Sequence, residues 1–247
     1  MLTRTPKSRL RSRSGRVAQT TTAPVLVILH QERSTPGRVG HHLLSRSIAL
    51  DIRRPALGDD LPETLENHSA VAIFGGPMSA NDESEFIKRE TQWLSVPLRE
   101  NKPFLGICLG AQMLARHLGA KVATHREGKA EIGYYPIRVT DAARTVTPEW
   151  PSHVYQWHRE GFALPHSAEL LAEGDIFEVQ AFRYGTAAYG IQFHPEVTHH
   201  TMCRWTTMGH IRLAMPGARA RPDHFIDRPV YDPAVRAWLA AFLDRWV

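Results

Sequence analysis

The 247-residue sequence predicts a doubly wound α/β protein built on a mixed, mostly parallel sheet. Two observations carry this expectation. In the first half, short apolar runs alternate with segments of helical periodicity, the pattern of βαβ units. In the second half, short strand-like runs follow one another without long helices between them, which extends the same sheet with antiparallel or mixed strands.

The elements follow in order. "VLVIL" (25–29) is apolar throughout and reads as a buried strand. "PGRVGHHLLSR" (36–46) can carry a helix despite its glycines, and "IALDIRR" (48–54) reads as a second strand. "SAVAIF" (69–74) is a third, and it runs into the breaker Gly75-Gly76-Pro77. "ESEFIKRETQWLSVPLREN" (83–101) has helical periodicity, with charges opposite Phe86, Trp93 and Leu94. "PFLGI" (103–107) is a fourth strand, and "LGAQMLARHLG" (109–119) a helix with Gly119 as its C-cap. "EIGYYPIRVT", "HVYQWH", "AELLA", "VQAFRY" and "AAYGIQFH" are the strand candidates of the second half. Residues 209–232 are rich in Arg, Pro and Gly with little apolar periodicity, which suits a loop over the site or a partner surface. The terminal "YDPAVRAWLAAFLDRWV" is amphipathic, with Val235, Leu239, Phe242 and Leu243 near one face and Asp232-Pro233 as its start. Residues 24–247 are expected to form one domain.

Composition narrows the function classes. No apolar run approaches the roughly 18 residues of a membrane span. Two cysteines, Cys108 and Cys203, give no disulfide framework, which points to a reducing, cytoplasmic setting. The net charge of +5 is local: residues 1–23 hold Arg4, Lys7, Arg9, Arg11, Arg13 and Arg16 with no acid, and without these six the remainder carries −1. That tail reads as a basic disordered segment, with an organelle-targeting peptide as the alternative. The nearly neutral body gives no argument for nucleic-acid or membrane partners.

Three segments carry chemistry. Gly106-Ile107-Cys108-Leu109-Gly110 has the spacing of a strand-turn-helix elbow that raises a nucleophile above the sheet. There the helix N-terminus favours thiolate, and the Leu109 N–H becomes a donor to an oxyanion. The plain alternative is a buried, inert cysteine between packing glycines. "YGIQFHPEV" (189–197) sets His194 and Glu196 two residues apart, on one face of an extended backbone, so a carboxylate can orient an imidazole. Alone it reads as a strand end with exposed polar residues. "GGPMS" (75–79) allows close backbone approach and offers the Gly76 N–H as a second donor, or is a simple turn.

Together these segments resemble the class I, or triad-type, glutamine amidotransferase family over most of residues 24–200. "HVYQWHREGFALP" (153–165) and "EIGYYPIRV" (131–139) resemble stand-alone members grouped with the glutaminase part of GMP synthase. The resemblance implies a flavodoxin-like sheet with Cys108 as nucleophile, His194 as base and acid, and Glu196 as orienter. It implies Gly76 and Leu109 as oxyanion donors, and Gly75, Gln112, His158 and Arg159 on the substrate side. The substrate is then L-glutamine, or a γ-glutamyl compound if the chain is a γ-glutamyl peptidase. No cofactor is implied. The only Gly-Lys pair, Gly128-Lys129, lacks the P-loop pattern, so ATP chemistry would belong to a separate synthase. His194, His199, His200 and Cys203 lack the paired spacing of a structural zinc site, so no metal is expected.

Overall fold

A computed structural model describes residues 23–247. The basic segment 1–23, apart from its last residue, lies outside the described residues. The first half forms β1 (Val25–Ile28), α1 (Gly37–Ser45), β2 (Leu50–Arg53), β3 (Ala70–Ile73), α2 (Glu85–Trp93), α3 (Ser95–Arg99), β4 (Phe104–Ile107) and α4 (Leu109–His117). The second half continues through β5 (Val122–Thr124), β6 (Glu131–Pro136), β7 (Arg138–Val139), α5 (Asp141–Val146), β8 (His153–His158) and β9 (Glu160–Phe162). It ends with β10 (Ala168–Glu173), β11 (Val179–Tyr184), β12 (Ala188–Ile191), α6 (His199–Met208) and α7 (Arg221–Trp246).

Eight strands form one sheet in the order β2-β1-β3-β4-β12-β11-β10-β7. The five from β2 to β12 are parallel, and β11, β10 and β7 add an antiparallel wing. The apolar runs alternate in space. Val25, Val27, Ala70, Ala72, Leu105 and Ile107 face a core with α1 and α7. Leu26, Ile28, Val71, Ile73 and Phe104 face a second core with α2 and α4. Strands covered on both faces read as continuous hydrophobic sequence, which is why these were legible. Among the described residues no helix is long and apolar enough to cross a membrane.

Three expectations need correction. First, β6 and β8 pair with each other, and β5 with β9, as two separate ladders rather than as an extension of the main sheet. Tyr134 and Tyr155, on β6 and β8, bury instead in a small third core with Val197 and Met202, against Trp157, Trp205, Phe225 and Tyr231. Second, the stretch 83–101 breaks into α2 and α3 at Leu94. Pro97 has no amide hydrogen for the Trp93 carbonyl, so one continuous helix is disfavoured there.

Third, the last helix begins at Arg221, not at Asp232, with Pro222 in its first turn and Asp223 beside its N-terminus. Residues 210–214 form a 3₁₀ turn, so 209–232 is largely helical rather than a loop. The first half of α7 is held by Phe225 and Tyr231 against the third core and by polar contacts. His224 is buried, with Nδ1 2.9 Å from the Tyr155 hydroxyl, and Asp232 accepts both Arg38 guanidinium nitrogens at 2.8 and 2.6 Å. Two aromatic residues and a set of hydrogen bonds make no continuous apolar stripe, which explains the missing periodicity.

Candidate active site

The elbow forms where β4 meets α4. The Cys108 N–H donates to the Ile191 carbonyl at 2.8 Å, and its backbone sits at φ 51°, ψ −102°. Positive φ at a non-glycine residue costs about 1–3 kcal/mol and is found where a site over-determines the backbone. The flanking glycines are required by contact. A β-carbon at Gly106 would lie 2.6 Å from the Gly110 carbonyl, and one at Gly110 would overlap the Ile73 carbonyl oxygen. Gly110→Ala is therefore expected to cost about 3 kcal/mol, measurable as a lowered urea midpoint. The strained turn yields a second test. Cys108→Gly relieves the backbone that Cys108→Ala keeps. The glycine variant should be the more stable of the two in urea, against the usual penalty of about 0.5–1 kcal/mol for glycine.

Register brings the next segment alongside. β12 lies parallel to β4 with Ile191 opposite Ile107, so the chain beyond Ile191 emerges next to Cys108. β12 ends there, earlier than the run to His194 suggested. His194 is held by its N–H on the Tyr155 carbonyl at 2.8 Å, and Glu196 follows in a turn rather than an extended strand. The pairing still forms: His194 Nδ1 lies 2.7 Å from Glu196 Oε1. The Glu196 carbonyl accepts the Arg38 N–H at 2.9 Å, which ties this turn to the start of α1.

Cys108, His194 and Glu196 are 6%, 4% and 6% exposed. Burial by itself lowers the His194 pKa. The Glu196 charge first, then the Cys108 charge and the hydrogen bond to Glu196, outweigh it and push the value up to about 10. His194 Nε2 has no geometrically formed hydrogen bond among the described residues. Trp205 meets the imidazole edge-on, with ring centroids 4.9 Å apart at 81°. A cationic imidazole between a carboxylate and a thiol can hold a thiolate and later deliver a proton.

The glycine loop after β3 closes the other side. A β-carbon at Gly75 would stand 2.8 Å from His194 Cε1 and 3.5 Å from Cys108 Cβ, so this backbone touches both groups. The Gly76 N–H makes no hydrogen bond among the described residues, and Leu109 is the first residue of α4, whose N–H has no acceptor within the helix. A cleft of about 140 Å³ reaches Gly75, His194 and Glu196 between Arg33, Ser34, Arg204 and Trp205.

The other expected substrate contacts are placed differently. Gln112 is one turn beyond Cys108 and buried, its Nε2 donating to the Glu160 carbonyl at 2.8 Å and to Gln192 Oε1 at 3.3 Å. His158 is turned into the wall. Nδ1 faces the Glu160 carbonyl at 2.9 Å and Nε2 faces Glu131 Oε2 at 3.0 Å, so neither nitrogen is free for a ligand. Arg159 is exposed. Its neighbour Arg212, from the 3₁₀ turn, has its pKa lowered by burial and by the Arg159 charge, with Cys108 opposing. Among the described residues no group of three His, Cys, Asp or Glu side chains converges as a metal site would.

The family model described as glutamine amidotransferase class-I matches residues 37–206. The chain belongs to the class-I glutamine amidotransferase family. Members of this family are enzymes that hydrolyse the amide of glutamine. The chain is 30% identical over 180 residues to the glutamine amidotransferase-like protein YfeJ of Salmonella typhimurium, covering 69% of this chain and 74% of that one. It is 35% identical over 168 residues to the glutamine-hydrolyzing GMP synthase subunit of Ignicoccus hospitalis, covering 64% and 84%. A glutamine amidotransferase from Thermotoga maritima superposes with a TM-score of 0.81 at 32% identity, over 91% of this chain and 97% of that one.

Several residues around this candidate site carry little or no signal in the sequence. Trp205 and Arg212 come from helical segments with no motif. His30 is partly legible as the residue just past the first strand, at the carboxyl edge where open α/β sheets carry their sites. Its partner Glu90 reads only as one charge among several on α2.

Proposed function

We propose that this amidotransferase hydrolyses the side-chain amide of glutamine through a Cys108 thioester and passes ammonia to a separate synthase of the GMP synthase kind. The observation that carries the reading is the buried His194–Glu196 pair beside a thiol on a strained strand-to-helix turn. The Cys108 thiolate attacks the amide carbon. The tetrahedral oxyanion accepts hydrogen bonds from Gly76 and Leu109, and the C–N bond breaks as His194 protonates the departing ammonia. Neutral His194 then takes a proton from water. The water oxygen attacks the thioester carbonyl, a second oxyanion forms, and glutamate leaves as the sulfur is released. Glu196 holds the imidazole in orientation and balances its charge in both steps. The similarity to a glutamine-hydrolyzing GMP synthase component supports the choice of partner.

A second reading has its own support. Arg159 and Arg212 lie near enough for the Arg159 charge to depress the Arg212 pKa, and two neighbouring guanidinium groups suit a substrate with two carboxylates, such as a γ-glutamyl dipeptide. Purified protein supplied with glutamine and, separately, with γ-glutamyl dipeptides distinguishes the two. Ammonia and glutamate released in equal amounts from glutamine, rising when the synthase is added, is the expected result. Rapid dipeptide turnover with negligible ammonia from glutamine would reverse the assignment.

A further inference from the structure

One buried ion pair beside the site has no part in the scheme above. His30 follows β1 and Glu90 lies on α2, and both side chains are fully buried. His30 Nε2 faces Glu90 Oε1 at 3.0 Å, and Nδ1 faces the Gly75 carbonyl oxygen at 3.2 Å. A carbonyl and an ionised carboxylate both accept only, so both ring nitrogens must carry hydrogen for the two contacts to be bonds. The ring is then an imidazolium with Glu90 as its counter-charge. In keeping with this, its pKa is raised: burial opposes the shift, while the Glu90 charge, the Glu90 hydrogen bond and the Gly75 carbonyl outweigh it. Glu90 Oε2 is buried without a partner among the described residues, so this carboxylate is committed to His30 alone.

The contact falls on the peptide that matters. Gly75 and Gly76 have no side chains to restrict the orientation of the peptide plane between them. In a trans peptide the Gly75 C=O and the Gly76 N–H point in opposite directions, and no cis peptide occurs among the described residues. Gly76 itself is wedged between the two sides: a β-carbon there would lie 3.0 Å from both His30 Cβ and Leu109 Cδ2. We propose that the His30–Glu90 pair positions the oxyanion hole, holding the Gly75 carbonyl toward β1 so that the Gly76 N–H faces Cys108. The inference rests on Gly76 acting as an oxyanion donor. A charge-assisted bond on the carbonyl also polarises the peptide and strengthens its N–H as a donor.

The test is the double variant His30→Phe/Glu90→Leu, because apolar replacement of a buried pair is often neutral or stabilising. With the melting temperature retained, kcat for glutamine should fall about tenfold to a hundredfold, a part of the 10²–10³ lost with a whole donor, while KM stays within about twofold. Alkylation of Cys108 by iodoacetamide should keep its rate, since displacement at a saturated carbon builds no oxyanion. Affinity for the aldehyde analogue of glutamine, captured as a thiohemiacetal, should fall in step with kcat. If the double variant does not fold, two single variants replace it. His30→Asn keeps a donor near the Nδ1 position and should retain most of kcat, whereas His30→Gln, which reaches toward Glu90, should show the full loss. A folded double variant with wild-type kcat, equal losses in the two single variants, or alkylation falling together with kcat would overturn the proposal. A wild-type protein that turns over glutamine while these variants match it condemns the inference alone. A wild-type protein that forms no adduct with the aldehyde condemns the reading of the site as well.

Discussion

Cys108→Ala is expected to lower kcat for glutamine by at least about 10⁴-fold, with the urea midpoint close to that of the wild type. The size of the effect follows from the covalent step. Without the sulfur there is no thioester, and what remains is binding and two backbone donors acting on water. Cys203 cannot substitute. It lies on α6, with its sulfur 3.5 Å from His199 Nε2, and among the described residues no carboxylate-oriented imidazole stands beside it. A cysteine that merely packs between Gly106 and Gly110 would give the opposite pattern, a modest loss of stability and little change in rate. Steady-state ammonia release at saturating glutamine, measured alongside urea denaturation, separates the two patterns.

Glu196→Gln should lower kcat by about 10³–10⁴-fold, because the imidazole loses both its orienting acceptor and its main source of positive-charge stabilisation. The same change carries a pH signature. The His194 pKa is raised from 6.5 to about 10 in the folded protein, chiefly by Glu196 against the opposing effect of burial. A raised pKa in the folded state means that proton binding favours folding. This contribution is fully present below about pH 6.5 and is lost as pH rises through about 10. The stability advantage of wild type over Glu196→Gln should therefore be largest near pH 6 and shrink toward pH 10. Urea titrations of both proteins at the two ends of that range check it. An advantage that grows with pH would mean that His194 is neutral in the folded protein.

The legible part of the molecule was the part fixed by local rules. β1, β3 and β4 are buried on both faces, so their sequences are uniformly apolar, and Gly106 is demanded by backbone contact with Gly110 one turn on, while Gly110 answers to the Ile73 carbonyl of the neighbouring strand. The segments 106–110, 192–196 and 75–76 converge because their strands are neighbours in a parallel sheet, and the alternating pattern already implied such a sheet. What stayed hidden depends on distant partners. The first half of α7 is seated by His224 on Tyr155 and Asp232 on Arg38, contacts that leave no periodic trace. His158 looked available to substrate because nothing nearby in sequence discloses that Glu131 occupies its Nε2. The separate β6–β8 ladder follows from a third core that α6 and α7 complete from the far end of the chain.

The role of Cys108 is tested by labelling with a glutamine analogue that carries a diazoketone in place of the amide, followed by peptide mass spectrometry. A single adduct is expected, on Cys108, its formation slowed by excess glutamine and abolished by Cys108→Ala. Label on Cys203, or modification of Cys108 that glutamine does not slow, would contradict it.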